Sequence, residues 1–220
     1  MPRTARASAA NYCYHVLNRG NAQAVVFHKD GDFRAFVDLI ARAGDRLPMR
    51  VLAYCVMPNH FHLVLWPRGD GDLSRWMQWL LTDHVRRYHR HYHSSGHAWQ
   101  GWFKAFPIQE DEHLLTVLRY VERNPLRAGL VERAEQWPWS SLPGLDRGRP
   151  ESFLDAGPVP RGTGWVEGVN RSMTEAEEGR MRRSLDRGSP FGSEPWAVQA
   201  AGALGLESSL RPRGRPRKVR

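Results

Sequence analysis

The spacing of apolar positions divides the first 124 residues into a run of short elements. Tyr12 to Asn18 (YCYHVLN) alternates and is rich in aromatic and β-branched residues, which predicts a first strand ended by Arg19-Gly20-Asn21. Phe33, Phe36, Val37 and Ile40 then recur at helical spacing, so a helix opens at Asp30 or Asp32 and stops at Gly44, ahead of Pro48. Arg50 to Met57 is a nearly continuous apolar run that suits a central strand. Pro58-Asn59 makes a turn, and a strand carrying His60 and His62 follows at once, so the two strands form an antiparallel hairpin. Pro67 to Gly71 is a second break, after which Asp72 caps a long helix with Leu73, Trp76, Leu80, His84 and Tyr88 along one face. Trp99 to Pro107 (WQGWFKAFP) reads as a short strand or edge segment. Asp111 caps a last helix through Leu114, Leu115, Leu118 and Val121, which Asn124-Pro125 ends, because a residue before proline is pushed out of the helical region.

The order strand, helix, strand, strand, helix, strand, helix predicts an α+β fold, one antiparallel or mixed sheet with helices on one face. Beyond WPWSS (137 to 141) the pattern changes. Glycine and proline dominate from Pro143 to Gly164, as in a linker or loop-rich extension, and 172 to 187 and 194 to 206 read as short helices. The expected organisation is a domain over 1 to 145, a loop-rich and helical extension over 146 to 210, and a basic tail over 211 to 220.

Charge narrows the partners. The chain carries 32 Lys and Arg against 23 Asp and Glu, and six of the nine net positive charges fall in the last ten residues. A polyanion, nucleic acid before anionic membrane, is the expected partner. In that tail, Arg213-Gly214-Arg215-Pro216-Arg217 resembles an AT-hook core, which lies in a narrow minor groove; a solvated counter-charge tail is the plainer reading. Both raise DNA affinity in a salt-dependent way. Arg75, Arg86, Arg87 and Arg90 interleave with aromatics on the long helix and form either a phosphate-tracking surface or a solvated face. Lys104 adds a cation on the segment that follows. His89, His91 and His93 lie about 200° apart on a helix and cannot converge on one ion, so they read as a weakly basic helix end. Cys13 and Cys55 form no C-x-x-C pair, which fits a reduced compartment and argues against structural zinc. With no apolar stretch after the N-terminal arginines and no run of membrane-spanning length, the expectation is a cytoplasmic, nucleoid-associated protein without a membrane partner.

The chemistry centres on His60-Phe61-His62. Strand side chains alternate, so the two imidazoles point the same way and can clamp a divalent metal. The plainer alternative is one buried, satisfied histidine and one solvated. Tyr120 bears on that choice. It lies about 200° round the last helix from Leu118, off the stripe of Leu114, Leu118 and Val121, on the side of His113 and Thr116, with Asn124 one turn beyond. Such a tyrosine is ordinarily a surface residue. Beside an H-x-H strand in a basic protein it has a second use, because a phenol can attack a phosphodiester while a histidine-held metal stabilises the charge.

YHVLNRG (14 to 20), MPNHFHLVLWP (57 to 67), RYVERNPLRAGLV (119 to 131) and WPWSS, in that order, resemble the single-tyrosine HUH transposases, and within them the REP-associated tyrosine transposases. The resemblance covers about residues 12 to 145, and the ending from Arg187 to Lys218 is also similar to that group. It implies a ferredoxin-like antiparallel sheet with helices packed on it. It implies Tyr120 as the nucleophile that becomes joined to a 5′-phosphate and leaves a free 3′-OH, and His60 and His62 as ligands of Mg²⁺ or Mn²⁺. Asn124 matches the third ligand, with Glu122 or Gln100 as substitutes. The implied substrate is single-stranded DNA with a REP-type hairpin, processed by a monomer or a homodimer. A domesticated hairpin-binding protein, regulatory or architectural, is the rival expectation.

Overall fold

The computed structural model describes residues 8 to 211. Its first half is β1 (Cys13–Arg19), α1 (Asp30–Arg46), β2 (Met49–Met57), β3 (His60–Pro67), α2 (Asp72–Tyr92), β4 (Lys104–Ile108) and α3 (Glu112–Arg127). The strands form a sheet of order β2-β3-β1-β4, every pairing antiparallel. With one helix inside each crossover this is the ferredoxin-like arrangement. The second half adds α4 (Leu142–Asp146), α5 (Trp165–Asn170), α6 (Glu175–Arg187), α7 (Glu194–Leu204) and α8 (Glu207–Leu210).

Helices cover both faces of the sheet rather than the one face expected. Tyr14, Val16, Phe61, Leu63 and Leu65 point towards α1 and α2, where Phe36, Ile40, Trp76 and Leu80 complete one core. Cys13, Cys55, Val64, Phe106 and Ile108 point the other way, into a second core with Leu114, Val117 and Val121 of α3. The strands are apolar on both faces, so each face needs a cover. The Arg50 to Met57 run also departs from expectation, because β2 is an edge strand, not a central one. Its free edge is covered by the extension. Leu154 and Ser140 bridge to Val51 and Cys55, the Asp155 N–H donates to the Val51 carbonyl at 2.8 Å, and Arg161 donates to the Leu52 carbonyl at 2.6 Å. The glycine- and proline-rich stretch therefore lies along the sheet and satisfies backbone groups that an edge otherwise exposes.

Two boundaries differ in ways that shape the site. The fourth strand is only Lys104–Ile108, with Trp99 joined to Gly20 by an isolated bridge. The α3 helix continues through Pro125 to Arg127, with Ala128 N–H closing on the Asn124 carbonyl at 3.0 Å. Gly20 is required by close approach. A Cβ there would lie 2.2 Å from the Ala24 carbonyl oxygen, and the Gly20 N–H donates to the Asn59 carbonyl at 2.7 Å. That contact ties the end of β1 to the turn before His60.

Candidate active site

The register of β1 on β3 sets Leu17 opposite His62 and Arg19 opposite His60. Residues opposite one another share a face, so both histidines and Arg19 look towards α3. The Nδ1 of His60 is 2.7 Å from the Asn59 Oδ1, and the Nδ1 of His62 is 2.9 Å from the Nε2 of His15, itself buried and stacked on Phe106 at 4.8 Å. With Nδ1 engaged on both rings, Nε2 is the nitrogen each has left for a metal. Burial keeps all three imidazoles neutral, His15 with its pKa down at about 3 and His60 at about 4; His62 is well below its ordinary value, with His60 adding to the desolvation.

Tyr120 stands edge-on to His62, with ring centroids 5.7 Å apart, and the Arg127 guanidinium lies 5.4 Å from the Tyr120 ring centre. Tyr120 is 8% exposed and belongs to the second core. The expectation that it turns away from its helix's core is corrected here. The sheet lies against one side of α3 and the extension against another, so a single stripe does not describe what the helix buries. Burial raises the Tyr120 pKa, with Arg127 acting in the opposite direction, so the phenol holds its proton at neutral pH.

The residues flanking Tyr120 are sockets for the extension. Arg119 pairs with Glu177 at 2.8 Å, and Arg123 donates to the Asn170 carbonyl at 2.6 Å. Glu122, fully buried, accepts from Ser141 at 2.8 Å and from the Trp165 indole at 2.7 Å, with Arg161 at 3.8 Å.

His60, His62 and Tyr120 line a cavity of about 230 Å³ together with Gln100, Lys104 and Arg127. Arg19 and Arg182 also line it, and among the described residues Asp186 is the one acid on its wall. Four cations against one carboxylate suit an anion such as a phosphodiester. Asn124 is 1% exposed behind this wall, its Nδ2 donating to the Tyr120 carbonyl at 3.2 Å and its Oδ1 accepting from Arg127 at 3.3 Å. Glu122 serves the extension instead. Two imidazole nitrogens and a carboxamide oxygen, from Asn124 after a turn of its side chain or from Gln100 within the cavity, are a donor set that fits a divalent cation.

Of the expected DNA-binding residues, the structure brings Lys104 into the cavity. Arg75, paired with Asp72 at 2.6 Å, and Arg86, Arg87 and Arg90 are exposed along α2, outside the cavity. Arg213, Arg215 and Arg217 lie outside the described residues. His84, by contrast with the rest of its histidine-rich segment, is buried among Phe27, Phe36 and Trp99.

The profile of the family described as Transposase IS200 like matches residues 8–124, more than half of the chain. The chain belongs to the IS200-like transposase family. Within the curated proteins it is similar to the REP-associated tyrosine transposase of Escherichia coli, 28% identical over 98 residues, which span 43% of this chain and 55% of that one. A Haemophilus influenzae protein named for the same group is 30% identical over 109 residues, or 44% of this chain and 61% of that one. The match thus spans about three fifths of the length of these relatives. A solved REP-associated tyrosine transposase bound to a REP hairpin superposes with a TM-score of 0.57 at 18% identity, covering 80% of this chain and all of that one, and so shares its fold. No described helix is long and apolar enough to cross a membrane.

Sequence reasoning on single residues passed over His15, Arg19, Arg127 and Arg182. His15 and Arg19 stand in the YHVLNRG stretch at the β1 positions that alternation places on one face, a signal that becomes readable once β1 is paired with the histidine strand. Arg127 follows a proline expected to end its helix, and Arg182 lies in the extension, where nothing local marks it.

Proposed function

We propose that the protein is a metal-dependent single-stranded DNA endonuclease and strand transferase that acts at REP-type hairpins through Tyr120. The observation that carries this reading is the Tyr120 ring edge-on to His62 in a cavity ringed by Arg19, Lys104, Arg127 and Arg182. The similarity to REP-associated tyrosine transposases, one of them solved on a REP hairpin, supports the choice of substrate.

In the reaction the Tyr120 phenol oxygen attacks the scissile phosphorus and the bond from phosphorus to the 3′ oxygen breaks. The phenol proton is released, and the departing oxygen takes up a proton to become a 3′-OH. The DNA 5′-phosphate is left on the tyrosine. Because the phosphodiester bond is exchanged rather than hydrolysed, the strand can be rejoined elsewhere. Arg127, over the phenol ring, favours the phenolate that attack requires, and the cationic wall holds the phosphate. A divalent cation such as Mg²⁺ or Mn²⁺, held by the Nε2 atoms of His60 and His62 and the Asn124 carboxamide, would supply Lewis-acid stabilisation of charge on the phosphate oxygens.

The test is incubation with a labelled single-stranded REP hairpin oligonucleotide and Mn²⁺ or Mg²⁺, run on a denaturing protein gel beside Tyr120→Phe. A metal-dependent labelled adduct that vanishes in the variant is expected. Tight hairpin binding on a native gel with no adduct would overturn the nuclease reading in favour of a hairpin-binding protein.

A further inference from the structure

The Tyr120 cavity has a neighbour. Leu17, Trp102, Lys104, Leu185 and Asp186 line both it and a second cavity of about 630 Å³, so the two are contiguous along that ridge. Their chemistry differs. The first is ringed by cations, whereas the second is bounded mainly by apolar groups, among them Phe103, Ala105 and Phe106, with His15, Ser74, Ser184 and Arg187 as further polar members. A single DNA strand offers the same two chemistries in alternation, a charged phosphate and then a flat base with apolar faces and polar edges. The volume lies within the roughly 300–1,000 Å³ of small-ligand clefts.

We infer that the second cavity is a nucleobase pocket, which holds an unpaired base next to the phosphate at Tyr120. This deepens, and rests on, the reading of Tyr120 as the DNA-cleaving residue. Lys104, shared by both cavities, sits where the phosphate between the two positions passes. Phe103 and Phe106 offer apolar contact to the base, and Ser74 and Asp186 offer hydrogen bonds to its edge. Ser184 to Gly188, at the end of α6, complete the lining. That end lies outside the family-matched residues 8–124, so the extension supplies a wall of the pocket and takes part in choosing the base.

The experiment is fluorescence anisotropy with the full chain in metal-free buffer. The probes are labelled homo-oligodeoxynucleotides of each of the four bases and an abasic oligomer of the same length and charge. Ala105→Phe and Ser74→Phe each place a ring in the pocket from a different element, and neither residue lines the Tyr120 cavity. Base stacking corresponds to roughly five- to hundredfold in affinity. At least one base-bearing oligomer should therefore bind about tenfold more tightly than the abasic one. In whichever variant folds, that advantage should fall below about twofold with abasic affinity unchanged. Equal binding of abasic and base-bearing oligomers, or an advantage retained in a folded variant, would overturn the pocket. The Tyr120 adduct is scored separately, so a protein that forms it while showing no preference for bases refutes the pocket and leaves the nuclease reading standing.

Discussion

His15→Phe isolates one hydrogen bond. The substitution keeps an aromatic ring against Phe106, which His15 stacks on at 4.8 Å, and removes the two ring nitrogens, of which Nε2 lies 2.9 Å from the His62 Nδ1. If His62 gives Nε2 to a cation its proton sits on Nδ1, and His15 is the acceptor that holds it there. His62 is 3% exposed, so water does not easily replace the lost partner. A buried donor left unpaired costs about 1–3 kcal/mol, and loss of such an outer partner typically lowers metal affinity about 10- to 100-fold. The two figures agree, since a tenfold change is about 1.4 kcal/mol. The assay is adduct formation against Mn²⁺ concentration at fixed pH, with calorimetric Mn²⁺ titration beside it. Half-saturation should rise about 10- to 100-fold while the yield at saturating Mn²⁺ stays near normal. His15→Gln, which restores an acceptor oxygen, should recover most of the loss. A folded His15→Phe protein with unchanged half-saturation would refute the reasoning.

Three further outcomes are expected. Glu122→Leu leaves Ser141 and Trp165 without their common acceptor and Arg161 without its ion-pair partner, and should destabilise by about 3–5 kcal/mol, a drop of about 6–20 °C in Tm for a chain of this size, seen by calorimetry; a drop under about 2 °C would deny the carboxylate its structural role. His84 has an Nδ1 with no hydrogen-bond partner among the described residues, and burial, with Arg87 adding, holds its pKa down at about 3. A histidine depressed in the fold keeps its stability above pH 6.5 and loses it as the pH falls, so His84→Phe should stabilise by about 1 kcal/mol at neutral pH and by about 2 kcal/mol more at pH 5; denaturant melts at the two pH values decide it. Replacing Arg86, Arg87 and Arg90 together with glutamine should weaken hairpin binding and flatten the slope of log affinity against log salt by about 2–3. An unchanged slope would mean that this face of α2 meets only solvent.

Much of this architecture is legible in the residues themselves. Alternation in YCYHVLN and the abrupt Pro58-Asn59 turn place the strands, and strand alternation aims His60 and His62 together before any pairing is known. What stays hidden depends on contacts distant in sequence. A helical wheel drawn on Leu114, Leu118 and Val121 sends Tyr120 to the surface, because nothing within α3 reveals that His15 and His62 of the sheet pack against that side of the helix. The apolar run of β2 suggests a central strand for the same reason, since its cover arrives from Leu154 and Asp155 a hundred positions later. Pro125 misleads locally, because proline costs most where its missing N–H breaks a ladder that neighbours cannot restore. Here the last turn closes through Ala128 and Leu130.

The socket at Glu122 also sets an order of events during synthesis. A chain leaves the ribosome from its N-terminus, and the indole that reaches this carboxylate lies 43 residues downstream. Until that indole emerges, Glu122 on the helix bearing Tyr120 lacks one of its hydrogen-bond donors, and Arg182, further on still, is missing from the wall around the phenol. A nascent chain tethered to its messenger RNA thus holds every residue of the family-matched region before it holds the finished Tyr120 cavity, whose wall closes only when the last third of the protein folds back over the first.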